Sequence, residues 1–329
     1  MIINQLNTDS KINQGGVSSV VAQLYDDLTL QGKFECHLNP SFYKLLFPQK
    51  NTLNHLHGIW HQRIIFLYMI NLIFGIPYVV TVHGMLNPWA LRQKKMKKSF
   101  FMPILKVVLS RAAAIVVNTE AEKKIVRRLM PKARINVIEN YVNIPRRQNK
   151  MDTSSKLLVY VGRFHPTKNL ENLIMAVRNL DVDLKLHGYG ESEYTLKLHR
   201  LSRQFDNIEI CAPIYGQEKF DLLRRAAGVV LPSVNEGFPM LALECWSVCG
   251  LLIMNKNSNL DHAFEAGAAL DCGESELELR KFFQYFLGIS EQKRIVTREI
   301  GYKFASEQYS KQAVLEKYNR MFLEIIKDH

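Results

Sequence analysis

GVVLPSVNEGFPMLALECWSVCG, residues 228–250, reads as a strand, a loop and a helix in direct succession. GVVLP is a short apolar run with β-branched residues, the mark of a strand buried on both faces. The loop carries Glu236 and Gly237. A helix begins near Pro239, a natural first-turn position, and stops by Gly250. Working outward, the same unit recurs. Strand-like runs YVVTV (78–82), AAAIVVN (112–118), KLLVYVG (156–162), DLKLHG (183–188), NIEIC (207–211) and LLIMN (251–255) alternate with amphipathic segments of helical length. Such alternation predicts an α/β protein with parallel sheets. Ligands of open parallel sheets bind at the carboxyl ends of the strands, so the chemistry is to be sought just after them.

The chain has 329 residues, 47% hydrophobic and 22% charged, enough for two domains with ample cores. The segment NYVNIPRRQNKMDTSS (140–155) is polar, Pro-interrupted and ends in small residues, which predicts a linker. The expected domains are 1–148, 149–305 and a C-terminal helix over 306–329 that packs back on the first domain. FASEQYSKQAVLEKYNRMFLEIIK (304–327) reads as one long helix, with Tyr309, Ala313, Tyr318, Phe322 and Ile325 as its buried positions. The net charge of +12 is uneven: residues 1–150 carry 21 Lys and Arg against 7 Asp and Glu, whereas residues 151–329 carry 22 against 24. A basic first half implies an anionic partner there. The five cysteines include no C-x-x-C pair, so reduced thiols are expected rather than a disulfide framework or zinc ribbon. MIINQLNTDSK lacks a basic start followed by an apolar core, so no signal peptide is expected. Ile64–Val82 is nearly all apolar and long enough to span a bilayer, but Gly75-Ile76-Pro77 divides it into a helix-like and a strand-like piece.

Several segments carry candidate chemistry. Gly15 and Gly16 precede an amphipathic helix, where backbone N–H groups can approach a phosphate; a plain turn is the competing reading. In VGRFHPTKNLENL (161–173), Arg163 and Lys168 bracket a turn after a strand, a fork and a point charge suited to a diphosphate; solvated surface cations are the alternative. Glu236 and Glu244 offer carboxylates that accept from vicinal sugar hydroxyls. His83, directly after a strand, can bond a substrate, shuttle a proton or simply brace its loop. His55, His57 and His61 are an incomplete metal set, since no Cys or acid lies near them in sequence. Asp181 and Asp183 precede a strand and so fall at the wrong edge of the sheet for catalysis. Arg92, Lys94, Lys95, Lys97 and Lys98, beside Phe100, Phe101 and Met102, suit either an anionic membrane surface or an ordinary solvated face.

Taken in order, these segments resemble the retaining glycosyltransferases of family 4, of the type that builds bacterial surface polysaccharides such as lipopolysaccharide and capsule. The segments are GGVSSVV, HLHGIW with GIPYVVTVHGMLNPWALRQKKMKK, NTEAEKK, VGRFHPTKNLENLI, HGYGE and EGFPMLALE. The resemblance implies the GT-B fold, two Rossmann-like α/β domains facing a central cleft. It implies that Gly15 and Gly16 offer backbone N–H groups to the donor phosphate and that Arg163 and Lys168 neutralise the diphosphate. Gly188, Gly237, Phe238, Pro239, Met240 and Leu241 would line the donor, Glu244 would hold its ribose, and Glu236 and His83 would meet its sugar. It further implies a UDP- or GDP-linked sugar donor, a saccharide or polyprenyl-diphosphate-linked acceptor, and no metal or other cofactor. The departing phosphate would take the acceptor's proton on the same face. The expected place is the cytoplasm, peripheral on the inner face of the membrane. Pro239, Met240, Leu252 and NKNSNLDHAFEAG (255–267) depart from the family's common pattern.

Rival functions are an epimerase or hydrolase of nucleotide sugars on the same fold, and a catalytically silent membrane scaffold. A nucleic-acid protein is disfavoured, because the basic half contains no recognisable RNA or DNA module.

Overall fold

The computed structural model describes residues 2–7, 16–46, 49–93, 95–145 and 155–328. The chain forms two units, Met1–Asn140 with Val314–His329, and Tyr141–Ala313. In the first unit β1 (Ile2–Leu6), β2 (Glu35–Leu38), β3 (Thr52–His57), β4 (Tyr78–Thr81), β5 (Ala114–Val117) and β6 (Ile135–Val137) pair in parallel in the order β2-β1-β3-β4-β5-β6. β1, β3, β4 and β5 are buried along their whole length, as a sheet with helices on both faces requires.

β4 and β5 show in sequence as unbroken apolar runs, but β1 (IINQL) and β3 (TLNHLH) carry amides and imidazoles. Their asparagines are bonded to one another and to the neighbouring helix. Asn4 Nδ2 donates to Asn54 Oδ1 (2.8 Å), Asn54 Nδ2 to Asn71 Oδ1 (2.6 Å), and Asn71 Nδ2 to the Leu67 carbonyl (2.6 Å). The apolar stretch after residue 62 resolves into the helix Gln62–Phe74, ended by Gly75 at φ 62°, followed by β4. Among the described residues no helix is long and apolar enough to cross a membrane.

In the second unit β7 (Leu157–Phe164), β8 (Asp183–Gly190), β9 (Ile208–Cys211), β10 (Gly228–Leu231), β11 (Leu252–Met254) and β12 (Leu270–Asp271) form a second parallel sheet, ordered β12-β11-β10-β7-β8-β9. The winding runs outward from β7 through β8 to β9, then returns to β10 on the other side of β7. That reversal is a topological switch point, the usual ligand crevice of such sheets. β7 extends two residues past Gly162, the strand end expected from sequence, and pairs with β8 through Gly162↔Gly188 and Phe164↔Gly190. A Cβ on Gly188 would collide with the Gly162 carbonyl oxygen, and one on Gly190 with that of Phe164. Glycine is therefore what lets the two strands run on together to the sheet edge.

The tail is not the single helix expected over 304–327. It is two helices, Glu291–Gln308 and Lys311–Lys327. The break is made by packing. Tyr309 is fully buried against Trp246, Phe304 and Phe238, and its hydroxyl lies 2.6 Å from His262 Nε2. Its carbonyl accepts from the Val142 N–H (3.2 Å) instead of continuing a helix, and Ser310 bridges to Val142. Ala313 is half-buried, whereas Tyr318, Phe322 and Ile325 are buried. Within the first unit the last helix is fixed by Phe322 against Phe34, Lys317 with Glu139, and Arg134 with Glu324 and Asp328.

Candidate active site

In the second unit the two loops flanking the switch point meet. After β7 the chain makes one 3-10 turn, Pro166–Lys168, started by the His165 side chain accepting from the Thr167 N–H. Asn169 then sits in the left-handed region (φ 58°), its amide donating to the Glu274 carbonyl (2.7 Å), and a helix runs over Leu170–Val177. From the other side, the loop after β10 is tied to this turn by the Val234 N–H on the Thr167 carbonyl (2.9 Å). Its Glu236 main chain is held by Asn257 and Asn259. The result brings Lys168 Nζ to 2.5 Å from Glu236 Oε1, with both side chains largely covered. Burial and the nearby Glu236 carboxylate together push the Tyr160 phenol well above its ordinary range, and that hydroxyl donates to the Arg163 carbonyl (2.9 Å). Arg163 itself is exposed at the edge. The neighbouring His165 is shifted down, first by burial and then by Arg163.

Glu244 lies in the helix Met240–Ser247, which has Pro239 at its N-cap and no side-chain cap. It accepts from Lys219 Nζ at 2.6 Å, a residue of the helix Gly216–Arg225. Of the residues expected beside the donor, Phe238 packs edge-on against Tyr309 and Leu241 belongs to the core. Those two side chains are structural, while the uncapped helix start supplies peptide groups suited to an anion. Gly188 is accounted for by strand packing. Asp181 pairs with Lys156 just before β8 begins, at the amino edge.

In the first unit His83 follows β4 in the left-handed region (φ 49°), with Gly84 at φ 74°. The turn is pinned by the buried Glu122, whose oxygens accept from the Gly84 N–H (2.5 Å) and the Asn118 N–H (2.9 Å). Burial pushes the Glu122 carboxyl up. His83 Nε2 lies 3.0 Å from His57 Nδ1, and His57 Nε2 lies 2.7 Å from Gln5 Oε1. His55 Nε2 meets the Thr81 hydroxyl at 2.7 Å. Burial lowers His55 to about 3 and His83 to about 4, and holds His57 far down as well. All three rings are therefore neutral at pH 7. His61 stands apart as the cap of the Gln62–Phe74 helix. Among the described residues no group of three or more His, Cys, Asp or Glu side chains is placed to hold a metal.

The helix Gly16–Gln31 starts at Gly16, whereas Gly15 lies outside the described residues. In the basic segment Arg92, Lys95 and Lys97 are exposed and Lys94 lies outside the described residues. Lys98 departs from the expected row of solvated cations. Its ammonium donates to the Ala90 carbonyl (2.5 Å) and lies 5.0 Å from the centre of the Trp60 ring.

Both halves match glycosyltransferase families. Residues 15–146 match the model described as Glycosyltransferase Family 4, and residues 143–274 that of Glycosyl transferases group 1. The two matches run on from one another across 15–274. The chain is of the family 4 glycosyltransferase type.

An uncharacterised glycosyltransferase of Methanocaldococcus jannaschii is 27% identical over 170 residues, 52% of this chain and 46% of that protein. The chain thus aligns with about half the length of the curated relative. The structure resembles sucrose-phosphate synthase from Thermosynechococcus elongatus over the whole of both chains (TM-score 0.81, 14% identity). It also resembles Anabaena Alr3699/HepE, solved in complex with UDP, over the whole of both chains (TM-score 0.76, 16% identity). These likenesses establish the GT-B type of fold, two Rossmann-like α/β domains, that the sequence motifs lead one to expect.

Seen as a family 4 glycosyltransferase, the chain has functional candidates that sequence reasoning missed. Lys219 is the partner of Glu244, Glu122 anchors the His83 turn, and Gln5 ends the imidazole chain. A signal existed for Glu122 alone. Thr119 and Glu122 stand at capping spacing, and the Thr119 hydroxyl does accept from the Glu122 N–H.

Proposed function

We propose that this protein transfers a sugar from a UDP- or GDP-linked donor to a hydroxyl of a saccharide or polyprenyl-diphosphate-linked acceptor. Retention at the anomeric carbon, no metal, and a role in surface polysaccharide synthesis complete the reading. The observation that carries it is the Lys168–Glu236 pair, built from two loops on either side of the switch point and followed by Glu244 on the next helix. Anabaena HepE, of the same fold, has been solved with UDP, with UDP and glucose, and with UDP-glucose.

The residues divide the work by chemistry. In the transition state the bond between the anomeric carbon and the diphosphate oxygen breaks, and the sugar takes on oxocarbenium character. Charge accumulates on the leaving diphosphate. Lys168 has three N–H donors, so one can stay on Glu236 while others meet phosphate oxygen, and Arg163 adds a planar fork. Glu236, fixed through its main chain, holds Lys168 in place before the donor arrives and then faces the sugar. Glu244 accepts from the ribose hydroxyls, with Lys219 setting its direction. The departing phosphate takes the acceptor's proton on the same face, which gives retention.

The acceptor side is assigned to the basic first unit. Met96, Phe100, Ile104 and Val107 lie exposed along one face of the helix Lys95–Ser110, and Phe66, Met69 and Ile73 along the packed neighbouring helix Gln62–Phe74. With Arg92, Lys95 and Lys97 beside them, this surface suits an anionic bilayer, and with it a peripheral place on the inner face of the cytoplasmic membrane.

Incubation with nucleotide sugars and membrane-derived acceptors, with the product's anomeric configuration read by NMR, tests the proposal. The expected result is an acceptor-dependent product of the donor's own configuration. An inverted product refutes retention. Sugar release or interconversion without acceptor would identify a hydrolase or epimerase, and membrane recruitment without transfer from any donor a silent scaffold.

A further inference from the structure

The hydrogen bonds at the carboxyl edge of the first sheet form a directed chain. Gln5 is the penultimate residue of β1, His57 the last of β3, and His83 follows β4. β1 and β3 are the neighbours between which this sheet reverses its winding, so the chain lies at the unit's own switch point. Gln5 and His57 are buried, at 0% and 1% exposure. An amide oxygen only accepts, so the His57 nitrogen that meets Gln5 Oε1, Nε2, carries the hydrogen. A neutral imidazole carries one hydrogen, which leaves His57 Nδ1 as a lone pair that accepts from His83 Nε2–H. The only nitrogen of His83 left for a ligand is then Nδ1, also a lone pair. The ring is fixed at one end by His57, and the backbone beneath it by Glu122 through the Gly84 N–H.

We propose that Gln5 and His57 are positioning residues that lock His83 in the Nε2–H tautomer, so that its Nδ1 accepts a hydrogen bond from a hydroxyl of the bound sugar. In that state His83 cannot donate to a phosphate oxygen. The sugar half of this statement rests on the glycosyl-transfer reading; the tautomer does not. Turning the Gln5 amide over would place Nε2, now buried without a hydrogen-bond partner, against His57 and reverse every hydrogen in the chain. The direction is therefore an observable.

The test is a long-range 1H–15N correlation spectrum of the full-length protein labelled with 15N-histidine, at pH 7.5 and without substrate. The His83 signals are assigned by their loss in His83→Gln. The expected result is His57 and His83 both as single Nε2–H tautomers. In His57→Ala the His83 signals should move to tautomer-averaged positions. In His57→Asn, whose Oδ1 stands near the site of Nδ1, they should return. His83 as the Nδ1–H tautomer, or as an averaged pair in the wild type, overturns the proposal, and so do His83 signals that His57→Ala leaves unmoved. The wild-type spectrum decides even where His57→Ala does not fold. Because no donor or acceptor is present, absence of sugar transfer and failure of the tautomer are read separately.

Discussion

Four side chains of the second unit, Lys168, Glu236, Lys219 and Glu244, form two part-buried ion pairs, and each pair joins separate elements. On the proposed reading their losses differ in kind. Lys168→Ala removes a charge needed as the diphosphate leaves and should lower kcat about 10²-fold. Glu244→Ala removes charge-assisted bonds to the ribose at about 1.5–3 kcal/mol, so KM for the donor should rise about 10- to 100-fold. Lys219→Ala should raise donor KM by less, and nothing further should be lost when it is combined with Glu244→Ala, because Lys219 acts through that carboxylate. Steady-state kinetics, with circular dichroism to confirm folding, check all three. Lys168 and Glu236 are legible in the sequence because each follows a strongly apolar strand. Lys219 is not: in GQEKFDLLRR three cations on one short helix look like ordinary solvated side chains, and nothing in one sequence ties Lys219 to a residue 25 positions later.

Among the strands, the apolar ones show themselves in the sequence while the polar ones do not. β3 hides because its asparagine and histidines are buried only by virtue of partners from other strands and from the helix Gln62–Phe74. The last two helices merge in the sequence because Tyr309 keeps the apolar period while packing ends the helix. These histidines, His55 and His57 buried and His83 half-buried, carry a consequence for stability. In the unfolded chain they titrate near pH 6.5, whereas in the fold His55 lies at about 3 and His83 at about 4. Between those values the unfolded state binds more protons, so stability falls as pH drops from 6.5 through 4. His83 alone contributes on the order of 3 kcal/mol to that fall. Glu122, raised by burial, works the other way over the carboxylate range. Thermal melts from pH 7.5 to 4 should show a steep loss of Tm, flattened in His55→Gln. Gly188→Ala, whose methyl would strike the Gly162 carbonyl, should cost about 1–3 kcal/mol and lower Tm by roughly 2–4 °C for each kcal/mol.

Across the full chain, the alternation of strands and helices makes the fold readable, and the charge count locates its basic half. What composition could not show is which cations remain exposed. Lys98 is turned onto Trp60 and the Ala90 carbonyl, leaving Arg92, Lys95 and Lys97 as the described exposed cations of the segment, at about 1 kcal/mol each toward an anionic bilayer. Replacing those three by Gln should weaken binding to anionic vesicles about 10²-fold at low salt, while neutral vesicles show no such change. Vesicle co-sedimentation measures it, and unchanged binding would make the segment an ordinary solvated face. On the proposed reading the switch point of the second unit holds a nucleotide diphosphate sugar. Calorimetric titration of the wild type, Lys168→Ala and Glu244→Ala with UDP- and GDP-sugars measures that binding. Saturable binding of one donor by the wild type, weakened at least tenfold in Glu244→Ala and less in Lys168→Ala, is the expected result. Wild-type affinity in both variants, or no binding of any nucleotide sugar by the wild type, would contradict it.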